Sequence, residues 1–136
     1  MSQIPVIRAM EKRIINTKAA PAPIGPYNQA ILINGALYIS GQICIEPSTG
    51  NLKNRDIQDE THQVMQNLKS ILSEAGMSFD NVVKTTIFIT DMNQFSEINE
   101  IYGKYFTGDF PARETVQVSA LPKFVNVEIS MVAITS

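Results

Sequence analysis

The predicted C-terminal strand, residues 125–134, constrains the fold of this chain more than any other segment. Side chains alternate between the two faces of a β-strand, and the two faces of this strand differ. One is wholly apolar, whereas the other mixes a carboxylate and a hydroxyl with apolar side chains. The first face carries Val127, Ile129, Met131 and Ala133, and the second carries Glu128, Ser130, Val132 and Ile134. A sheet built around this strand therefore needs cover on both faces.

Turn signals and the period of the apolar residues predict the other elements. The proline-rich segment 19–27 excludes a helix, and Asn34-Gly35 favours a two-residue hairpin, so the first third is extended chain. From residue 56 the apolar positions recur every three or four residues, which predicts an amphipathic helix ended by Gly76. The predicted elements are strands 11–16, 29–33 and 36–43, a helix at 56–75, a strand at 81–90, a second helix that begins at Asp91 or Asn93 and ends at Gly108, and strands 114–121 and 125–134.

The element order β-β-β-α-β-α-β-β predicts one α+β domain over residues 1–136, with residues 1–11 as a flexible lead-in. Two helices cover only one face of a single mixed sheet of this width. We expect the last two strands to form a hairpin around Pro122-Lys123. The partly apolar second face then remains open, and we expect another copy of the chain to cover it.

Composition excludes several classes of protein. A net charge of −2 gives no electrostatic footprint for nucleic acid. The single cysteine, Cys44, permits no intrachain disulfide and is expected to be a buried apolar residue rather than a nucleophile. We expect a cytoplasmic protein, with residues 1–6 either a lead-in or a weak mitochondrial address. No apolar run is long enough for a membrane span, and no spacing indicates a metal site.

Two charged residues in largely apolar surroundings are the first candidates for chemistry. Arg113 follows a proline and offers a planar fork that suits a carboxylate. Its alternative role is an ion pair with Glu114 or Asp109. Glu128 lies within a strand, where it could orient water or serve as a buried ion-pair partner. In the predicted hairpin Glu128 lies opposite Gln117, which leaves Arg113 roughly 13 Å away along the sheet.

Two further positions stand out before any comparison of families. Tyr27 follows Gly25-Pro26 in the stiff loop, so its hydroxyl could bind a ligand or its ring could simply pack. Ser40-Gly41-Gln42 interrupts an apolar strand, and a glycine there lets a ligand or another backbone approach closely.

Seven segments, in order and at family spacing, resemble the Rid/YjgF family, whose members are also named endoribonuclease L-PSP or translation inhibitor. Each segment alone is a weak signal, but together they span residues 12–134. They are APAPIGPYNQA at 20–30, ISGQI at 39–43, PSTG at 47–50, VKTTIF at 83–88, residues 99–106, FPAR at 110–113, and QVSALPK continuing to VEI at 117–129.

The resemblance implies a chorismate-mutase-like fold and a homotrimer with ligand clefts between subunits. It implies a 2-iminobutanoate/2-iminopropanoate deaminase without a cofactor or metal, which hydrolyses reactive 2-aminoacrylate-type enamines and imines to 2-keto acids and ammonia. Two alternatives remain open: a non-catalytic regulatory trimer that binds 2-keto acids, and a ribonuclease or translation inhibitor.

The resemblance also implies roles for individual residues. Arg113 would grip the substrate carboxylate and Glu128 would position the attacking water. Backbone N–H groups near Gly41 and Thr115 would add hydrogen bonds. The cleft would be shaped by Tyr27, Ser40 and Asn99.

The sequence departs from the family pattern at two places. Glu114-Thr115 stands where many bacterial members have Ser-Cys. The Glu114 carboxylate is therefore next to Arg113, and it either competes with the substrate carboxylate for the guanidinium or points away. Cys44 replaces a proline that is common after Gly-Gln-Ile.

Overall fold

The computed structural model describes residues 11–136, so the predicted lead-in lies outside the described residues except for Glu11. Six strands and two α-helices follow in the predicted order, with short 3₁₀ turns at 79–81, 92–94 and 122–124. The elements are β1 (Arg13–Ile15), β2 (Ala30–Ile33), β3 (Ala36–Gln42), α1 (Ile57–Glu74), β4 (Val82–Ile89), α2 (Phe95–Gly103), β5 (Ala112–Gln117) and β6 (Val127–Ile134).

All six strands form a single mixed sheet in the order β1-β2-β3-β6-β4-β5. β5 runs parallel to β4, and every other neighbouring pair is antiparallel. The predicted hairpin of the last two strands is therefore wrong, because β4 lies between them. Glu128 is opposite Phe88 of β4 and not opposite Gln117. The parallel pairing arises because β4, α2 and β5 form a β-α-β unit, whose crossover places the third element beside the first.

The helices begin and end where side chains can satisfy their terminal backbone groups. Asp56 caps α1 by accepting a hydrogen bond from Asp59 N. The chain leaves α1 at Gly76, whose φ of +74° suits a residue without Cβ. Asp91 instead caps the 3₁₀ turn that precedes α2. The second helix is thus shorter than predicted, and it begins at Phe95 and ends at Gly103.

Both helices pack on one face of the sheet, as predicted. The wholly apolar face of β6 joins α1 and α2 in one continuous core, which includes Leu68, Ile71, Ile98, Ile129 and Met131. The α+β class and the single mixed sheet with one helical cover are therefore confirmed.

The opposite face of the sheet carries apolar side chains with no helix over them. Tyr38 is 52 % exposed and Ile134 is 42 % exposed. Val132 lies between them, paired with Tyr38 across β3 and β6. Among residues 11–136 no helix is long and apolar enough to cross a membrane.

Candidate functional site: two half-sites on opposite faces of the sheet

Arg113 lies on β5 and points to the helical face of the sheet. Its guanidinium carbon is 5.2 Å from the ring centroid of Tyr102 and 5.6 Å from that of Phe95, both on α2. These distances allow cation–π attraction from two rings. The Tyr102 hydroxyl lies 2.8 Å from Thr85 Oγ1, which fixes its ring against the sheet. Burial raises the pKa of Tyr102 and keeps its phenol neutral. The arginine therefore has an aromatic seat, defined as Phe95 and Tyr102.

The structure does not pair Arg113 with a neighbouring carboxylate. Among residues 11–136 none of the ion pairs involves Arg113. Glu114 points to the other face of the sheet, where its carboxylate lies 3.1 Å from Lys84 Nζ. The alternative of an Arg113–Glu114 ion pair is therefore wrong, and Glu114 does not compete for the guanidinium.

An open groove of about 280 Å³ adjoins the guanidinium. Its walls are largely apolar or aromatic, and Arg113 provides the charge. The lining residues are Asn99, Tyr102, Gly103, Phe110, Pro111 and Arg113. A groove with one planar cation and one amide suits a small carboxylate that also carries an apolar group.

Glu128 occupies the other face, in a different environment. A Cβ placed on Gly41 would lie 2.8 Å from Glu128 Cδ and 3.0 Å from its Cγ, closer than normal contact. The glycine of β3 thus makes room for the carboxyl group. Burial raises the pKa of Glu128 above its ordinary value, which makes the carboxylate a better proton acceptor.

The Glu128 carboxyl also lines a cavity of about 40 Å³. That volume exceeds the ~15 Å³ that one water needs, and it is far too small for a whole substrate. The lining residues are Pro21, Ala22, Pro23, Ile24, Tyr27, Gln29, Gly41, Gln42, Ile43, Ile45, Pro122 and Glu128.

The proline-rich loop supplies one wall of this cavity. Tyr27 is 44 % exposed, and its hydroxyl accepts a hydrogen bond from Ile24 N at 3.2 Å, so its own proton remains available to donate. Ser40 donates its hydroxyl proton to Asn28 O at 2.6 Å, which ties the loop to β3. Tyr27 thus lines the same cavity as Gly41 and Glu128, whereas Ser40 precedes Gly41 on β3 and is not part of the lining.

Sequence reasoning missed the residue that holds this loop in place. Gln29 is 2 % exposed, and its amide bonds to three backbone carbonyls and to one backbone N–H. The partners are Thr17 N, Thr17 O, Ala20 O and Pro21 O. The sequence gives no signal of this role, because the hydrogen-bond partners of the glutamine belong to an irregular loop that has no recognisable pattern.

The two half-sites do not meet within one chain. Arg113 is in register with Thr85 of β4, and Glu128 is in register with Phe88. Two strand spacings and three residues separate their backbones by roughly 14 Å. The sheet also lies between them, because Thr85 faces the helices and Phe88 faces the open side.

The remaining candidates are simpler. Thr115 lies two residues beyond Arg113 on the same face, and its Oγ1 is buried without a partner among residues 11–136. Cys44 is buried, and burial raises the pKa of its thiol to about 12, so it is no nucleophile at neutral pH. Within the described part of the chain, no three His, Cys, Asp or Glu side chains come together as a metal site would require.

The family model described as endoribonuclease L-PSP matches residues 17–135. The chain belongs to this family. Its members include proteins named Rid and YjgF, so the resemblance drawn from the seven segments is confirmed.

Three endoribonuclease L-PSP relatives illustrate the range of similarity. The human protein named 2-iminobutanoate/2-iminopropanoate deaminase is 49 % identical over 123 residues, 90 % of this chain and 90 % of that protein. A Rid family protein from Yersinia pestis is 54 % identical, with a TM-score of 0.89 over 92 % of this chain and all of that one. Escherichia coli TdcF with bound serine is 41 % identical, with a TM-score of 0.88 over 91 % and 99 % of the two chains.

Proposed function

We propose that this protein is an imine deaminase that hydrolyses 2-iminobutanoate, 2-iminopropanoate and the enamines in equilibrium with them. The observation that carries the proposal is the Arg113 guanidinium, which lies over the Phe95 and Tyr102 rings beside an open groove and makes no ion pair among residues 11–136. An arginine held in this way has its planar fork available for a ligand carboxylate. The human relative named for this reaction supports the choice of substrate.

Arg113 binds the substrate carboxylate through two parallel N–H···O hydrogen bonds. Asn99, in the same groove, provides an amide next to it. Backbone N–H groups near Gly41 and Thr115 complete the grip on the carboxylate. This binding holds the imine carbon in place while leaving its faces open to water.

Glu128 provides the proton transfers. Its carboxylate accepts a proton from a water in the small cavity as the water oxygen bonds to the imine carbon and the C=N π electrons move to nitrogen. That proton passes to the nitrogen and gives a carbinolamine. Glu128 then relays the hydroxyl proton to the same nitrogen, the C–N bond breaks as the C=O bond forms, and the products are a 2-keto acid and ammonia. These imines also hydrolyse in water unaided, so a placed water and one base are sufficient.

A complete site forms only when two copies of the chain meet. One subunit supplies the Arg113 groove and the next supplies Glu128 with Gly41, Tyr27 and Ser40. The uncovered sheet face, on which Glu128 and Val132 lie, is the surface that the neighbouring copy covers. A closed ring of three such contacts gives the homotrimer that the resemblance implied.

The test is to generate 2-iminobutanoate in situ and to follow release of 2-ketobutyrate with and without the protein. We expect the protein to accelerate release and Arg113→Ala to abolish the acceleration. Binding of 2-ketobutyrate without any acceleration would identify the regulatory trimer instead. RNA cleavage that persists in Arg113→Ala after repurification would not come from this site, and the net charge of −2 offers little attraction for RNA.

A further inference from the structure

Helix α1 contacts the strand that carries Glu128 through a buried carboxylate. Glu60 is 0 % exposed, and its two oxygens accept three hydrogen bonds. The donors are Asn126 N at 2.7 Å, Asn126 Nδ2 at 2.8 Å and Val127 N at 3.0 Å. None of the ion pairs among residues 11–136 involves Glu60, so the contacts that hold its carboxyl group are these three hydrogen bonds. Val127 directly precedes Glu128.

The same helix reaches the segment directly after β3, the strand that carries Gly41. Asn67 lies seven residues after Glu60, on the same face of the helix, and is 1 % exposed. Its amide donates to Ile43 O at 3.0 Å and to Ile45 O at 2.9 Å. Its carbonyl oxygen accepts from Gln63 Nε2 at 2.8 Å, which fixes the orientation of the amide.

These contacts lie next to a β-bulge in the sheet. Between β3 and β6 the register runs from Ile39 opposite Met131 to Gln42 opposite Ile129, so β3 carries one extra residue. A bulge interrupts the ladder of hydrogen bonds and bends the strand that contains it. Gly41 lies within this bulge, against the Glu128 carboxyl. The ladder therefore cannot by itself fix how the carboxyl lies on the glycine.

We propose that Glu60 and Asn67 are positioning residues of the active site, which together hold the start of β6 and the segment directly after β3 and so orient the Glu128 carboxylate. The proposal rests on the role assigned to Glu128 above. Neither residue touches substrate, and both act through the backbone on either side of the bulge.

The alternative is that the two side chains only stabilise the fold. A purely stabilising residue lowers the unfolding temperature and the folded fraction without changing kcat per folded molecule. A positioning residue lowers kcat in molecules that remain folded. KM changes less than kcat, because the Arg113 guanidinium, which is the main hold on the substrate carboxylate, lies in the other half-site.

The test compares Glu60→Gln and Asn67→Asp with Ile71→Val. Glutamine keeps only one of the two acceptor oxygens, so its NH₂ group faces either the two backbone donors or the Asn126 side-chain amide. Aspartate cannot donate to the two carbonyls. Each should lower kcat by between 10-fold and about 100-fold, with KM within about 2-fold, since small misplacements of a catalytic group have effects of this size. Ile71 is fully buried in the same helix but contacts neither strand end through a hydrogen bond, so Ile71→Val should lower the unfolding temperature and leave kcat unchanged.

A second readout does not depend on turnover. Carboxyl ¹³C NMR well below the unfolding temperature can monitor the titration of the Glu128 side chain. The midpoint of that titration should shift in Glu60→Gln and Asn67→Asp and not in Ile71→Val. An unchanged titration, or an unchanged kcat in an active protein, overturns the proposal. Should wild type lack deaminase activity, the proposed function fails and the titration alone decides whether Glu128 is positioned. If Glu60→Gln does not fold, Asn67→Asp carries both measurements.

Discussion

At the scale of single residues, Arg113 and Glu114 are neighbours with opposite surroundings. Strand alternation sends the arginine into the aromatic seat and the glutamate to Lys84 on the other face. From sequence alone, the Glu114 carboxylate could have paired with the guanidinium. Strand alternation instead places it outside the groove.

The separation predicts unequal effects of two adjacent substitutions. Arg113→Lys keeps the charge but loses the bidentate fork, so we expect kcat/KM to fall by 10-fold to about 100-fold, mainly through KM. Glu114→Gln breaks only an exposed ion pair, which contributes at most about 1 kcal/mol to stability, and should leave KM within about 2-fold. Steady-state kinetics with 2-iminobutanoate made in situ measures both. A larger loss in Glu114→Gln than in Arg113→Lys would contradict this assignment.

We expect the Glu128 carboxylate to support activity and to lower the stability of the fold at neutral pH. Burial raises its pKa, so the fold favours the protonated form, and the ionised form at neutral pH destabilises the fold. Glu128→Gln should therefore unfold at a higher temperature than wild type at pH 7. That advantage should shrink as the pH falls through the raised pKa, and it should vanish below the ordinary value of about 4.3, where both proteins are neutral at this position.

Calorimetry at pH 7 and pH 4 measures this difference, and kcat at pH 7 should fall by at least about 100-fold. The exposed Glu74→Gln on α1 serves as the control and should change neither property. A Glu128→Gln protein that is less stable than wild type at pH 7 but equal to it at pH 4 would reverse the sign and refute the prediction.

At the scale of elements, α2 both completes the core and holds the arginine. Phe95 and Tyr102 lie seven residues apart, two turns on the same face of the helix, so both rings reach Arg113. Both residues fall within the second helix predicted from the sequence. The sequence could not show that a charged side chain lies over their rings, because that contact joins α2 to a strand.

The two parts of Tyr102 should have separable roles. Tyr102→Phe keeps the ring but leaves the buried Thr85 hydroxyl without its partner, so stability should fall by about 1–3 kcal/mol while KM stays nearly constant. Tyr102→Leu also removes one cation–π contact of about 0.5–2 kcal/mol, so KM should rise at least about 2-fold further. Urea denaturation and steady-state kinetics together test this. Equal KM values for the two variants would show that the ring does not hold Arg113.

The element order was predictable from sequence, whereas the pairing of β5 was not. Apolar periodicity and turn residues are local signals, and they identified every strand and both helices. The segment after β5 carries a proline like an ordinary turn, yet Lys123 and Phe124 both adopt a φ of 56° there, and the chain passes over β4 to reach β6. In the sheet β4 pairs with both β5 and β6, and such pairings join residues far apart in the sequence, which a local pattern cannot predict.

At the scale of the whole molecule, the sheet separates Arg113 from Glu128. Its helical face leads to the Arg113 groove, and its open face carries Glu128 beside exposed apolar side chains such as Tyr38 and Ile134. Within a single chain the Arg113 groove and the Glu128 cavity are therefore separated by roughly 14 Å of sheet. The proposed assembly, in which each subunit completes the site of the next, accounts for both this separation and the uncovered apolar face.

That arrangement predicts that two inactive variants restore each other. Arg113→Ala subunits retain Glu128, and Glu128→Ala subunits retain Arg113, so a contact between them in the correct order contains one intact site. In a closed ring of three, every mixed ring holds one intact site out of three. Random assembly from equal amounts makes about three quarters of the rings mixed, so activity should recover to about a quarter of wild type.

Co-expression of the two variants with different affinity tags, followed by tandem purification, isolates the mixed rings, which should reach about a third of wild-type activity. The double variant Arg113→Ala/Glu128→Ala, co-expressed with wild type, serves as the control. It should supply no intact half-site to its neighbours, so rings with one double-variant subunit should keep one site of three. Mixed rings that stay as inactive as either parent would mean that each site is built within one chain, and the division of the site between subunits would then be wrong.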